Sequence, residues 1–204
     1  MIITKYDTKE DWLKARAGKI TGSTLKDTVV LRGNEEKIGY YKLIADRLAV
    51  AADSENPMER GNRLESEAIQ QFTEITGTEV CTDLVIWQRD DNPSIAISPD
   101  GYVDAERIVE AVEVKCLNSA EHIKAKITGK IPDQYNWQKI QYFIVNNDLE
   151  MLHFVFHDPR FIPELQTFII TIYRTDVAVE IEKYLMYEIN MLKRVDEMVL
   201  KLSS

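Results

Sequence analysis

Apolar residues recur at two spacings along this chain, and the changes of spacing mark its elements. Ile181, Leu185, Ile189, Leu192, Val195, Val199 and Leu202 follow a helical interval, which predicts one long helix from about 176 to 202. That stripe is expected to pack on its own domain rather than on a second subunit. Leu64, Ala68, Ile69 and Phe72 form a shorter stripe, with Pro57 suited to a first turn and Gly77 to a stop. Further helices are expected from 34 to about 51, from near Thr24, and over 132–142, and Thr8-Lys9-Glu10-Asp11 can cap the first one. β-rich runs cover 79–87, 94–98, 107–116, 151–157 and 167–173, and Asp158-Pro159-Arg160-Phe161 reads as a turn. Helices, a strand-rich centre, more helix and strand, then a long helix give an α/β class, with a mixed central sheet flanked by helices.

Composition narrows the picture. A chain of 204 residues with 45% hydrophobic content can bury one good core. No linker-like or repetitive segment divides it, and the polar stretch 51–57 is too short to mark a boundary, so 1–204 is expected to be a single domain. No apolar run reaches membrane-spanning length and no signal pattern opens the chain, so a cytoplasmic protein is expected. Cys81 and Cys116 are the only cysteines; they are expected to stay reduced, and are too few for a four-cysteine iron–sulfur cluster. His122, His153 and His157 form no zinc-like spacing with them. The formal charge of −9 fits a nucleic-acid partner only if positive groups gather locally. They do so in sequence: Arg16, Lys19 and Lys26; Arg60 and Arg63; Lys124, Lys126 and Lys130.

Candidate chemistry lies in Ile97-Ser98-Pro99-Asp100-Gly101 and Val112-Glu113-Val114-Lys115. Residues two apart on a strand share a face, so Glu113 and Lys115 project together. Val114 points the other way, with its carbonyl near the same edge. Two carboxylates and a carbonyl suit a hard divalent cation, and a neighbouring lysine can position or deprotonate a water. That set is equipped for metal-assisted phosphodiester hydrolysis. Taken alone, the same charges also suit a hairpin with a solvated outer face.

The pattern resembles the PD-(D/E)XK nuclease superfamily, with Pro99-Asp100 and Glu113-Val114-Lys115 as signature. Three further stretches resemble its phage lambda exonuclease branch, the YqaJ-like viral recombinases. In the helix after Pro57, Glu65 follows Gly61 by four residues and looks like that branch's third metal-facing acid, with Glu59 and Glu67 as competitors. Near the N-terminus, 12–23 is similar to the branch's opening motif, where Arg16 and Ser23 match residues that hold the 5′-phosphate of a DNA end. Arginine offers a donor fork to phosphate, and Ser23 can cap a helix whose N–H groups attract anions. In 132–142, Gln138 aligns with a glutamine beside the catalytic lysine; Gln141 remains a rival. The strand ending in Asp158-Pro159-Arg160-Phe161 is also family-like. The resemblance runs from about Trp12 to Phe161.

The resemblance implies a restriction-endonuclease-like core and a metal-dependent 5′-to-3′ exonuclease acting on double-stranded DNA ends. Its 3′ single-stranded tails would feed phage-type single-strand annealing in the host cytoplasm. Asp100, Glu113 and the Val114 carbonyl would hold the principal ion and Glu65 a second, both Mg²⁺ with Mn²⁺ as a substitute. Lys115 and Gln138 would complete the catalytic set. A homotrimeric ring and an annealing partner follow from the family. The rivals are an endonuclease of the same superfamily and an inactive DNA-binding module.

Overall fold

The computed structural model describes residues 35–48 and 57–203, with side chains described at 35–46, 48 and 64–194. The expected cap at 8–11 and the helix near Thr24 lie outside these residues. In chain order the elements are α1 (Ile38–Leu48), α2 (Pro57–Thr76), β1 (Trp87–Gln88), β2 (Ala96–Ile97), β3 (Gly101–Tyr102) and β4 (Glu110–Lys115). There follow α3 (Ser119–Thr128), a 3₁₀ turn (Asp133–Tyr135), α4 (Asn136–Val145), β5 (Met151–His157), α5 (Pro163–Gln166), β6 (Thr167–Tyr173) and α6 (Ala178–Ser203). A second 3₁₀ turn, Arg174–Val177, leads into α6.

Four strands make one sheet in the order β3-β4-β5-β6, and β1 and β2 pair separately. β3 runs antiparallel to β4, with Gly101 opposite Val112 and Tyr102 opposite Ala111. Glu150 and Met151 both donate to the Val109 carbonyl, at 2.8 and 3.0 Å. The leading ends of β4 and β5 therefore meet, as parallel strands joined by a helical crossover require. The class is α/β with a mixed sheet flanked by helices, as the hydrophobic pattern indicates.

Contacts between Cα atoms divide the chain into two compact units. Among the described residues one comprises 35–48 and 57–64, Cys116–Lys130 and Phe156–Phe168; the other comprises Glu65–Lys115, Ile131–Val155 and 169–203. In the first, Tyr41 and Ala45 of α1 pack with Ile123 of α3 and with Phe161. The helix α3 starts where Asn118 Oδ1 accepts the Glu121 N–H at 3.0 Å, and stops at Gly129, whose φ of 63° is left-handed. The Asp158–Arg160 turn is buried: two guanidinium nitrogens of Arg160 each meet an Asp158 oxygen at 2.7 Å. In the second unit, Ile95, Ile140, Ile144 and Val145 form a core on which Ile181, Tyr184, Leu185, Ile189 and Leu192 of α6 pack. The part of the α6 stripe with described side chains thus lies on its own unit.

The expected strand over 79–87 shrinks to Trp87–Gln88. Cys81 exchanges two backbone hydrogen bonds with Tyr102, at 2.8 and 3.0 Å, but residues 82–86 belong to no strand, and Leu84 and Ile86 face outward. The run 94–98 narrows to Ala96–Ile97 and 107–116 to Glu110–Lys115, while β5 and β6 match their expected spans. α2 ends at Thr76 with Gly77 at φ 74°, its N–H bonded to Thr73 O at 2.8 Å. That is the glycine stop read from the sequence.

Candidate active site

The register of β3 against β4 brings the first two acids together. With Gly101 opposite Val112, one step back along the ladder sets Asp100 across from Glu113. The Val114 N–H donates to Asp100 Oδ2 at 2.8 Å, which fixes the Asp100 carboxylate. Gly101 makes the approach feasible: a Cβ there would stand 2.4 Å from Val80 Cγ1 and 3.4 Å from Ile69 Cδ1. A side chain at 101 would push β3 away from the end of α2 and the residues after it.

Glu113 is the hub of the cluster and is only 2% exposed. Its Oε1 forms an ion pair with Lys115 Nζ and accepts from Gln138 Nε2 at 2.5 Å. Its Oε2 accepts from the Tyr142 hydroxyl. A buried carboxylate tolerates its desolvation only with such partners. Gln138 and Tyr142 sit four residues apart on α4, hence on one face. Gln141 points elsewhere, toward Ala96 O at 3.5 Å, so of the two glutamines it is Gln138 that reaches Glu113, the carboxylate paired with Lys115. Tyr142 was not among the expected site residues. Its four-residue step from Gln138 was legible, but a tyrosine inside an apolar run reads first as core.

Burial, the neighbouring Glu113 and the Glu65 charge push the Asp100 carboxyl up to about 7, against the opposing pull of the Val114 N–H and Lys115. Two carboxylates confined together favour sharing a proton or a cation. Glu65, half-buried on α2, is close enough for its charge to act on Asp100. Its competitor Glu67 is exposed, and the side chain of Glu59 lies outside the described residues. Tyr142 is held well above the ordinary tyrosine value by burial, then by Glu113; it stays a neutral donor.

An all-oxygen set such as Asp100, Glu113 and a strand carbonyl suits a hard divalent cation that keeps several of its own waters. Among the described residues no group of three or more His, Cys, Asp or Glu side chains is gathered for a metal. The donors present fit an ion that brings its own waters. Arg16 and Ser23, expected at a 5′-phosphate, lie outside the described residues. Cys81 and Cys116 are not joined in a disulfide, and among the described residues no helix is long and apolar enough to cross a membrane.

Comparison with known proteins places the chain in a family. The structure of LHK-Exo in complex with dAMP matches at 29% identity and a TM-score of 0.55, covering 94% of this chain and 100% of that one. A second structure, an alkaline exonuclease (LHK-Exo) from Laribacter hongkongensis, matches at 28% identity, the same TM-score and the same coverage. The comparison with curated proteins finds no match. A family model described as the YqaJ-like viral recombinase domain matches residues 11–147, a span that contains Asp100, Glu113, Lys115, Gln138 and Tyr142. A chain with that span matched over most of its length, and with a nuclease-like acid–lysine cluster inside it, belongs to the YqaJ-like viral recombinase family.

Proposed function

We propose that residues 1–204 act as one nuclease domain that degrades double-stranded DNA from its ends in the 5′-to-3′ direction. The 3′ single-stranded tails would serve annealing-type homologous recombination of a phage or prophage in its host's cytoplasm. The observation that carries this reading is the Asp100–Glu113 carboxylate pair beside Lys115, with Gln138 and Tyr142 fastened to Glu113. The likeness to an alkaline exonuclease, and to a structure holding dAMP, supports a deoxynucleotide substrate.

Asp100, Glu113 and the Val114 carbonyl would hold a principal Mg²⁺ and Glu65 a second, with Mn²⁺ as a substitute. When bound, the cation would acidify a water and neutralise charge building on the phosphate. Lys115 aims ammonium donors at the attacking water and at a non-bridging phosphate oxygen. Gln138 and Tyr142 keep both Glu113 oxygens in a fixed orientation, so the carboxylate does not reorganise as charge develops. Arg16 and Ser23 would grip the 5′-phosphate. A homotrimeric ring and a single-strand annealing partner complete the proposal.

The test is digestion of a linear duplex carrying a 5′-phosphate at one end, with Mg²⁺ and with chelator, beside a closed circle of the same sequence. Degradation from the phosphorylated end, only with Mg²⁺ and with circles intact, is the expected result. Cutting of circles would establish an endonuclease instead. Binding without cleavage of either form would leave a DNA-binding module.

A further inference from the structure

Three side chains on one face line the centre. Tyr135, Gln138 and Tyr142 stand at intervals of three and four residues, across the 3₁₀ turn and into α4. The latter two hold Glu113; Tyr135 does something different. Its ring lies under the Lys115 ammonium, with Nζ 4.7 Å from the ring centroid, within the range of a cation–π contact. Lys115 is 17% exposed, so this attraction operates partly out of water, where it is stronger.

The backbone under Tyr135 is firmly set. Its N–H donates to Pro132 O at 3.0 Å. Its φ of −97° and ψ of 0° put it in the bridge region between turn and helix. The ring is therefore presented from a hydrogen-bonded 3₁₀ turn at the start of α4. Among the described residues Lys115 has two holds, the Glu113 carboxylate and this ring. They are not equivalent. An ammonium on Glu113 occupies a carboxylate oxygen that a divalent cation would also need, whereas the ring face takes nothing from the acid. With only the carboxylate hold, Lys115 would lose its anchor whenever a cation took up that oxygen.

We infer that Tyr135 is the positioning residue for Lys115, its aromatic face keeping the ammonium in place while Glu113 serves another partner. This rests on the proposed nuclease reading, but its geometric part is measurable without metal or DNA. The expectations separate ring from hydroxyl: Tyr135→Phe keeps the face and Tyr135→Leu removes it. Leu should lower kcat roughly three- to thirtyfold, the range spanned by partly desolvated cation–π contacts, with KM for duplex DNA little changed. Phe should restore wild-type kcat. In metal-free protein labelled with ¹³C at the lysine ε-carbon, the Lys115 signal, identified by its loss in Lys115→Arg, should sit upfield through the ring current. Phe should keep that shift and Leu abolish it. An unchanged Lys115 signal in Tyr135→Leu overturns the contact, whatever the activity. Wild-type kcat in Tyr135→Leu, or a Phe variant as impaired as Leu, overturns the positioning role. If wild-type protein cleaves no DNA, the nuclease reading fails, and the metal-free spectrum still decides whether the ring holds Lys115.

Discussion

Asp100 carries the sharpest consequence of the cluster at the scale of single residues. An aspartate ordinarily titrates at about 3.9, and burial beside Glu113 pushes Asp100 to about 7. Between those values the folded protein keeps a proton that the unfolded chain has released. The group therefore favours folding at low pH, and that contribution is lost as pH rises through about 7. Asp100→Asn, which cannot ionise, should make the metal-free protein more stable than wild type at pH 8. The gap should close toward pH 5, as read by denaturant unfolding in chelator. A gap of equal size at both values would mean that Asp100 is not strained by its neighbours. Tyr142→Phe leaves one oxygen of the buried Glu113 without its donor, a loss of roughly 1.5–3 kcal/mol for a hydrogen bond to a charged group. Kinetics should show lower kcat with DNA affinity preserved. Asp100, Glu113, Lys115 and Gln138 were legible in the sequence because strand parity and motif order bring them together. Tyr142 and Tyr135 were not, because nothing in a tyrosine's own identity separates a core ring from one turned toward a charge.

Among the elements, α4 is the one that must stay put, since a shift of its axis would move Gln138 and Tyr142 together. Two arginines hold its C-terminal end. Arg174 donates to the carbonyls of Phe143 at 2.9 Å, Asn146 at 2.5 Å and Leu149 at 2.7 Å. Arg89 meets the Ile144 carbonyl and Asn147 Oδ1, while Asp91 grips its other side at 2.7 and 2.8 Å. Positive charge at a helix C-terminus also favours the dipole. Arg174→Met keeps much of the stem but strips those carbonyls of their donors, costing roughly 1–3 kcal/mol. Stability and kcat should fall together; an unaffected kcat in a destabilised but folded mutant would mean α4 does not set the geometry. Helical and strand spacing revealed α2, β5, β6 and α6 almost to their ends. The pattern misjudged 79–87, because a β-rich apolar run forms a strand only where a neighbour pairs with it, and among the described residues none pairs with 82–86, where Leu84 and Ile86 are exposed. It also gave no specific sign of α3, whose short span carries few apolar residues beyond Ile123 and Ala125.

For the whole molecule, a net charge of −9 must be reconciled with a polyanionic substrate. The acids of the cluster contribute to the excess, and proposed contacts such as Arg16 would offset it at one end of the DNA. Arg16→Ala should erase a preference for 5′-phosphorylated over 5′-hydroxyl ends of about tenfold or more, the loss expected of one charge-assisted contact, while slow cutting persists. Equal use of both ends by wild type would remove that pocket from the account. The central claim is that the Glu113 hub is the hydrolytic centre. Its most direct test is digestion of an end-labelled linear duplex by wild type and by folded Glu113→Gln across a Mg²⁺ titration. Wild type should release nucleotides in a Mg²⁺-dependent manner and the mutant none, even at saturating metal. Digestion by Glu113→Gln at close to the wild-type rate would contradict that claim.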